Sequence, residues 1–193
     1  MAAAPAPTSL VAPPRFTAAD FPLPSWHRFR PAGEVTTAKL STSPLRSIRQ
    51  PGSYSPTQKA GKRYEAKIFK RLAKLAGSGA DLRVIESPWI SFSTLRDTDR
   101  RVQPDLLIFQ NRQLLLCEIK LAHTVDAYWQ LVHLYAPVVR RVFPDYELRL
   151  VEITKSFDPA IRFGDDMRLF FDFGELLAGD VFPGIDVLQW KSP

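Results

Sequence analysis

Residues 104–120 read PDLLIFQNRQLLLCEIK. Two apolar runs, Leu106-Leu107-Ile108-Phe109 and Leu114-Leu115-Leu116-Cys117, flank a short polar stretch. Acidic and ammonium charge stands only at the outer ends, Asp105 before the first run and Glu118 and Lys120 after the second. Charged groups at buried strands are costly unless they are paired or bind a metal. If Asn111-Arg112 is a two-residue turn, where Asn tolerates the positive φ required, the runs form an antiparallel hairpin. Gln110 then faces Gln113, Leu106 faces Cys117, and Asp105 faces Glu118. Directly opposed side chains start roughly 5 Å apart, a span that one cation bridges with two carboxylates. Lys120 stands two residues beyond Glu118, on the same strand face. The pattern predicts two carboxylates and a lysine gathered at one sheet edge, a setting for a divalent cation and an activated water.

Outward from this hairpin, residues 57–76 contain no proline and carry an apolar stripe of Ile68, Leu72 and Leu75, predicting an amphipathic helix that Gly77 and Gly79 end. Glu65 lies three residues before Ile68 and seven before Leu72, which puts it on the apolar face among outward lysines. It is therefore a candidate to complete the site. Strand-like runs follow near 82–93, 102–109 and 113–120. A helical stretch from about 124 to 143, disturbed at Pro137, leads to a strand at 147–154. Beyond 156 the pattern is mixed, with Leu169-Phe170-Phe171 and Val187-Leu188 as short strands or packing segments. The order α-β-β-β-α-β predicts an α/β domain over 56–193, a mixed sheet flanked by helices.

Composition sets the bounds. The chain has 193 residues, 45% of them hydrophobic, enough for one cored domain plus extras. Residues 1–76 hold 13 Lys/Arg and 3 Asp/Glu, whereas 77–193 hold 13 and 17, so +10 is followed by −4. A basic arm and helix on a slightly acidic body fit a phosphate-backbone partner. Ten of the 17 prolines fall in 1–56, which reads as an extended Pro-rich arm over 1–55 with docking anchors at Phe16, Phe21, Trp26 and Phe29. No apolar run is long enough for a membrane span and no secretory signal is visible, so an intracellular protein is expected, cytoplasmic or, in a eukaryote, nuclear. A single cysteine, Cys117, excludes a disulfide framework, a Cys-rich zinc site and a Cys-held iron–sulfur cluster.

Other constellations are weaker. Pro144-Asp145 and Glu152-Ile153-Thr154-Lys155 form a rival set, but three residues separate Glu152 from Lys155 and place them on opposite strand faces. His27, His123 and His133 share no metal-ligand spacing, and His123 reads as a turn or helix-start residue. No GxxxxGK[ST] loop is present, so no motor activity is expected. Asp165-Asp166 and Asp172 read as a solvated face.

Taken together, Gly61 and Glu65, Pro104-Asp105, Glu118-Ile119-Lys120 and Gln130 resemble the PD-(D/E)XK nuclease superfamily over about residues 57–155. The resemblance implies a restriction-endonuclease-like αβββαβ core. It implies Asp105, Glu118, the Ile119 carbonyl and Glu65 as ligands of Mg²⁺ or Mn²⁺, with Lys120 orienting or deprotonating the attacking water and Gln130 as a further site residue. RecB-like and Cas4-like members carry a Gln and a Tyr one helical turn apart. Here Tyr135 follows Gln130 by five residues, which on an α-helix rotates the pair about 140° apart, so Tyr135 is expected in the core. The expected activity is metal-dependent hydrolysis of DNA, as an endonuclease of the junction-resolvase kind or a relative. Lys59, Lys62, Arg63, Lys67, Lys70, Arg71 and Lys74 would bind the backbone, and a homodimer or a nucleoprotein assembly would form through the arm. The alternatives are a non-catalytic nucleic-acid-binding or assembly module on the same fold, and an interaction protein whose arm wraps a partner.

Overall fold

The computed structural model describes residues 33–41, 54–77, 82–98, 100–156, 177–182, 184–190 and 193. The proposed anchors Phe16, Phe21, Trp26 and Phe29, the pair Asp165-Asp166, Asp172 and Leu169-Phe170-Phe171 lie outside them.

The hairpin forms as its numbering requires. Strands β5 (Leu106–Gln110) and β6 (Gln113–Ala122) pair antiparallel with Leu106 opposite Cys117 and Gln110 opposite Gln113. Asn111 takes the positive φ of 54° that the turn demands. β6 then pairs in parallel with β7 (Glu147–Ser156), and β7 with β9 (Ile185–Gln189). With β2 (Arg83–Glu86) outside β5 and β8 (Leu177–Phe182) outside β9, the result is a mixed six-stranded sheet in the order β2-β5-β6-β7-β9-β8.

Two features of this region differ from the expected runs. The 82–93 run divides at Ser87-Pro88 into β2 and β3 (Trp89–Thr94), which belong to different sheets. Pro88 has no N–H for a ladder, and Ser87 turns the chain at φ 45°. The 102–109 run divides at Gln103-Pro104 into β4 (Arg100–Val102) and β5. Strands β3 and β4 join β1 (Val35–Ser41), a strand inside the Pro-rich segment, in a small antiparallel sheet of order β1-β3-β4.

Helix α1 (Pro56–Ala76) begins with a capping box, since Ser55 Oγ accepts from Gln58 N and Gln58 Oε1 accepts from Ser55 N. Pro56, at its first turn, needs no hydrogen-bond partner there. It buries Tyr64, Ile68 and Leu72 against the odd-numbered side chains of β6 (Leu115, Cys117 and Ile119) and against Leu106 and Ile108. Tyr64 Oη donates to the Trp190 carbonyl at 2.7 Å, tying the helix to the end of β9. Each buried aliphatic side chain contributes roughly 1.5–3 kcal/mol through burial.

The opposite sheet face carries Leu107, Phe109, Leu114 and Leu116 and is covered by the second helical stretch. That stretch is continuous from Val125 to Val142, but only its ends are α-helical: α2 (Val125–Trp129) and α3 (Ala136–Val142) enclose a π-helical turn over Gln130–Tyr135. Pro137 sits in the first turn of α3. Proline offers no N–H and clashes with the carbonyl four residues back in a straight α-helix. The wider turn just before it accommodates the ring, and Ala136 N–H donates to Leu131 O, five residues back. The small sheet packs on this same side, where Val35, Ile90 and Phe92 join the cluster. No helix among the described residues is long and apolar enough to cross a membrane.

Candidate active site

Asp105 is fixed from two sides at the point where β5 begins. Its carbonyl accepts from Ser87 N at 2.8 Å, and its Oδ2 accepts from Ile119 N at 2.7 Å. An extended residue presents N–H and C=O to the same neighbour, so the Ile119 carbonyl also faces the Asp105 side of β6. The register carries on beyond Leu106–Cys117 to set Asp105 opposite Glu118. Glu118 and Lys120 share the even-numbered face of β6, and Lys120 Nζ meets Glu118 Oε1 at 2.5 Å. Glu118 Oε2 is buried and accepts no hydrogen bond from the described residues.

The electrostatics follow from this crowding. Burial pushes the Glu118 carboxyl up to about 8, the Asp105 charge adds to the rise, and Lys120 opposes it. Burial also raises Asp105, against the Ile119 N–H and the Lys120 charge. For Lys120, burial favours the neutral amine, but the carboxylates of Glu118, Asp105 and Glu152 outweigh it and hold the ammonium above its usual range.

Glu152 belongs to this group although its own motif reads as a rival. It is the parallel-register partner of Glu118 on β7, fully excluded from water, on the same sheet face. Its Oε2 lies 2.7 Å from His123 Nδ1, while Oε1 is buried and accepts no hydrogen bond from the described residues. Asp105, Glu118 and Glu152 therefore form a row across three adjacent strands. The face parity of Glu152 could be read from sequence, but its place beside Glu118 needed the β6–β7 crossover.

Tyr135 is buried in the core as expected, and the π-helical turn revises only its angular relation to Gln130. Where hydrogen bonds run from i to i+5, residues five apart share a face as residues four apart do on an α-helix. Gln130 and Tyr135, at the two ends of this turn, are thereby brought toward one face of the helix. Gln130 Oε1 is buried and accepts no hydrogen bond from the described residues. Burial pushes the Tyr135 hydroxyl far above its usual range, and the Glu118 and Asp105 charges push it further, so the ring stands within electrostatic reach of both carboxylates. Pro137 was the sequence signal for this shift.

Glu65 stands at the rim. Its side chain is about one quarter exposed and meets Lys62 Nζ at 3.5 Å, although its charge still bears on Asp105 and Glu118. Tyr64, one position earlier, takes the fully buried place on the helix. Lys59, Lys62, Arg63, Lys67, Lys70, Arg71 and Lys74 are all exposed on α1. A cavity of about 240 Å³ lined by Arg140, Arg149, Leu150, Ile185 and Asp186 lies toward the other end of β7 and contains none of these candidate residues.

Among the described residues no three His, Cys, Asp or Glu side chains converge as a metal-holding group. What the edge offers is two carboxylates and a backbone carbonyl on one side of β6. All are oxygen donors, which suit Mg²⁺ or Mn²⁺ better than zinc. The buried, unpartnered Glu118 Oε2 fits a cation of that kind, since a buried carboxylate oxygen is costly without a partner. Set against known proteins, the chain matches no family model, no curated sequence and no solved structure.

Proposed function

We propose that this chain is a divalent-metal-dependent nuclease of the PD-(D/E)XK type that hydrolyses phosphodiester bonds of DNA, as an endonuclease. The observation that carries the reading is the register of the hairpin. It sets Asp105 opposite Glu118 and Lys120 on the same face, within an element order α1, β2, β5, β6, α2–α3, β7. Asp105 and Glu118, with the Ile119 carbonyl, would hold Mg²⁺ or Mn²⁺, which when bound polarises a phosphate oxygen and acidifies a bound water. Glu65 supplies negative charge at the rim of the set. Lys120, kept protonated by its carboxylate neighbours, stabilises the negative charge that develops on the phosphate during attack. Gln130 and Tyr135 present polar groups from the helix above the same face. The exposed lysines and arginines of α1 bind backbone phosphates, so affinity falls steeply with salt.

The test is cleavage of labelled linear duplex, single strand, flap and four-way junction with Mg²⁺, Mn²⁺ or EDTA, wild type beside Lys120→Ala. Metal-dependent cutting that the variant loses supports the nuclease, and the preferred substrate names its type. Binding without cutting under every metal makes the fold a non-catalytic nucleic-acid module instead.

A further inference from the structure

Glu152 has no part in the reading above, yet it is placed beside the residues that do. It is the register partner of Glu118 on the neighbouring parallel strand, about 4.8 Å away at the backbone. Both residues are buried, on the face that Leu116 and Leu150 line. One oxygen of Glu152 meets His123 Nδ1 at 2.7 Å, whereas Oε1 is buried and accepts no hydrogen bond from the described residues. A fully buried carboxylate with one oxygen idle is costly, so its retention in this core points to a donor that reaches it.

The donor at hand is Lys120. Its Nζ meets Glu118 Oε1 at 2.5 Å, so the ammonium sits on one of the carboxylates assigned to the cation. Two cations at one carboxylate repel each other strongly where water is largely excluded. Lys120 is in register with Thr154, which puts Glu152 on the diagonal, two residues back along β7. From strand spacing and rise, the Lys120 and Glu152 Cα atoms are roughly 8 Å apart, against roughly 7 Å from Lys120 to Glu118 along β6. A lysine side chain spans either gap. About one quarter of the Lys120 side chain is exposed, and the Glu152 charge bears on its ammonium.

We propose that Glu152 is the alternate seat of Lys120: on binding of Mg²⁺ or Mn²⁺ by Asp105 and Glu118, the ammonium passes from Glu118 to Glu152 Oε1. This rests on the metal-site part of the reading above. Glu152 is thus a positioning residue that acts through Lys120. It clears Glu118 for the cation and keeps the ammonium on the same sheet face.

The experiment is titration calorimetry with Mn²⁺ alone, without nucleic acid, on wild type, Glu152→Gln, Lys120→Ala and the double variant. Thermal melts in EDTA are the folding control. In Glu152→Gln the ammonium has no second carboxylate and competes with the metal for Glu118. Affinity should fall roughly 10-fold further than the same substitution costs in the Lys120→Ala background, where only a nearby negative charge is lost. Equal losses in the two backgrounds, or none in either, overturn the assignment. A crystal structure of wild type with Mn²⁺ tests it without any substitution: Nζ hydrogen-bonded to Glu152 supports it, and Nζ still on Glu118 overturns it. Wild type that binds no Mn²⁺ overturns the metal reading and this assignment with it. Metal binding without cleavage of any nucleic acid counts against the nuclease alone.

Discussion

Glu118→Gln tests the burial of the site carboxylates directly. In the folded protein, burial and the Asp105 charge lift the Glu118 carboxyl from 4.5 to about 8. The folded state therefore keeps a proton that the unfolded chain has already released between those pH values. Glu118 contributes its full stability below about pH 4.5 and loses it as pH rises toward 8. At about 1.4 kcal/mol per pH unit, the loss is roughly 5 kcal/mol in metal-free protein, comparable to the whole stability of a small domain. Only 3% of the residue is exposed, so solvent screens little of this. Glutamine has the shape of the protonated acid and cannot ionise. Urea unfolding in EDTA, followed by tryptophan fluorescence, should give nearly equal stabilities near pH 5 for wild type and Glu118→Gln. By about pH 8.5 the variant should be more stable by several kcal/mol. Added Mg²⁺ at about 100 times its Kd should then recover close to 2.7 kcal/mol for wild type and much less for the variant. A gap that stays constant with pH would refute the reasoning, because Glu118 would then titrate as an exposed carboxylate does.

Three further outcomes are expected. Lys120→Ala should abolish cleavage while sparing metal binding, whereas Asp105→Asn should weaken both, as activity assays beside metal titration calorimetry would report. Reversing charge at Lys62, Lys67 and Lys70 should weaken DNA binding and flatten the dependence of log K on log salt, by roughly one for each phosphate no longer neutralised, read from fluorescence anisotropy over a salt series. Deleting Val132 should let the π-helical turn relax to an α-helix in which Gln130 and Tyr135, then four residues apart, still share a face. Cleavage should then persist, in an activity assay, while the circular dichroism melt stays cooperative.

The hairpin was legible because its information is local: a turn residue tolerant of positive φ and two apolar runs of equal length fix the facing pairs, and hence Asp105 against Glu118. The divisions at Ser87-Pro88 and Gln103-Pro104 were also written in the chain, as prolines that cannot donate to a ladder. What escaped was non-local. Nothing in residues 147–156 says that their neighbour is β6, so Glu152 looked like part of a competing motif and His123 like a helix-start residue. β1 was hidden by the proline content around it. Tyr135 is legible as a core residue, but its angular relation to Gln130 is misjudged when an α-helical period is applied to a stretch that carries a wider turn just before Pro137. For Glu65, helix spacing fixed the face but could not decide between the sheet and Lys62.

The row of carboxylates spans strands that come together by very different routes. Asp105 and Glu118 meet through a two-residue turn, the kind of closure that takes microseconds. Glu152 can join them only after the chain has passed through the whole of α2 and α3, because parallel strands need such a crossover. Pairings of that range form late and slowly. During refolding the hairpin half of the site would thus exist before the β7 half, and recovery of the His123–Glu152 contact would mark the arrival of the complete sheet rather than of its first turn.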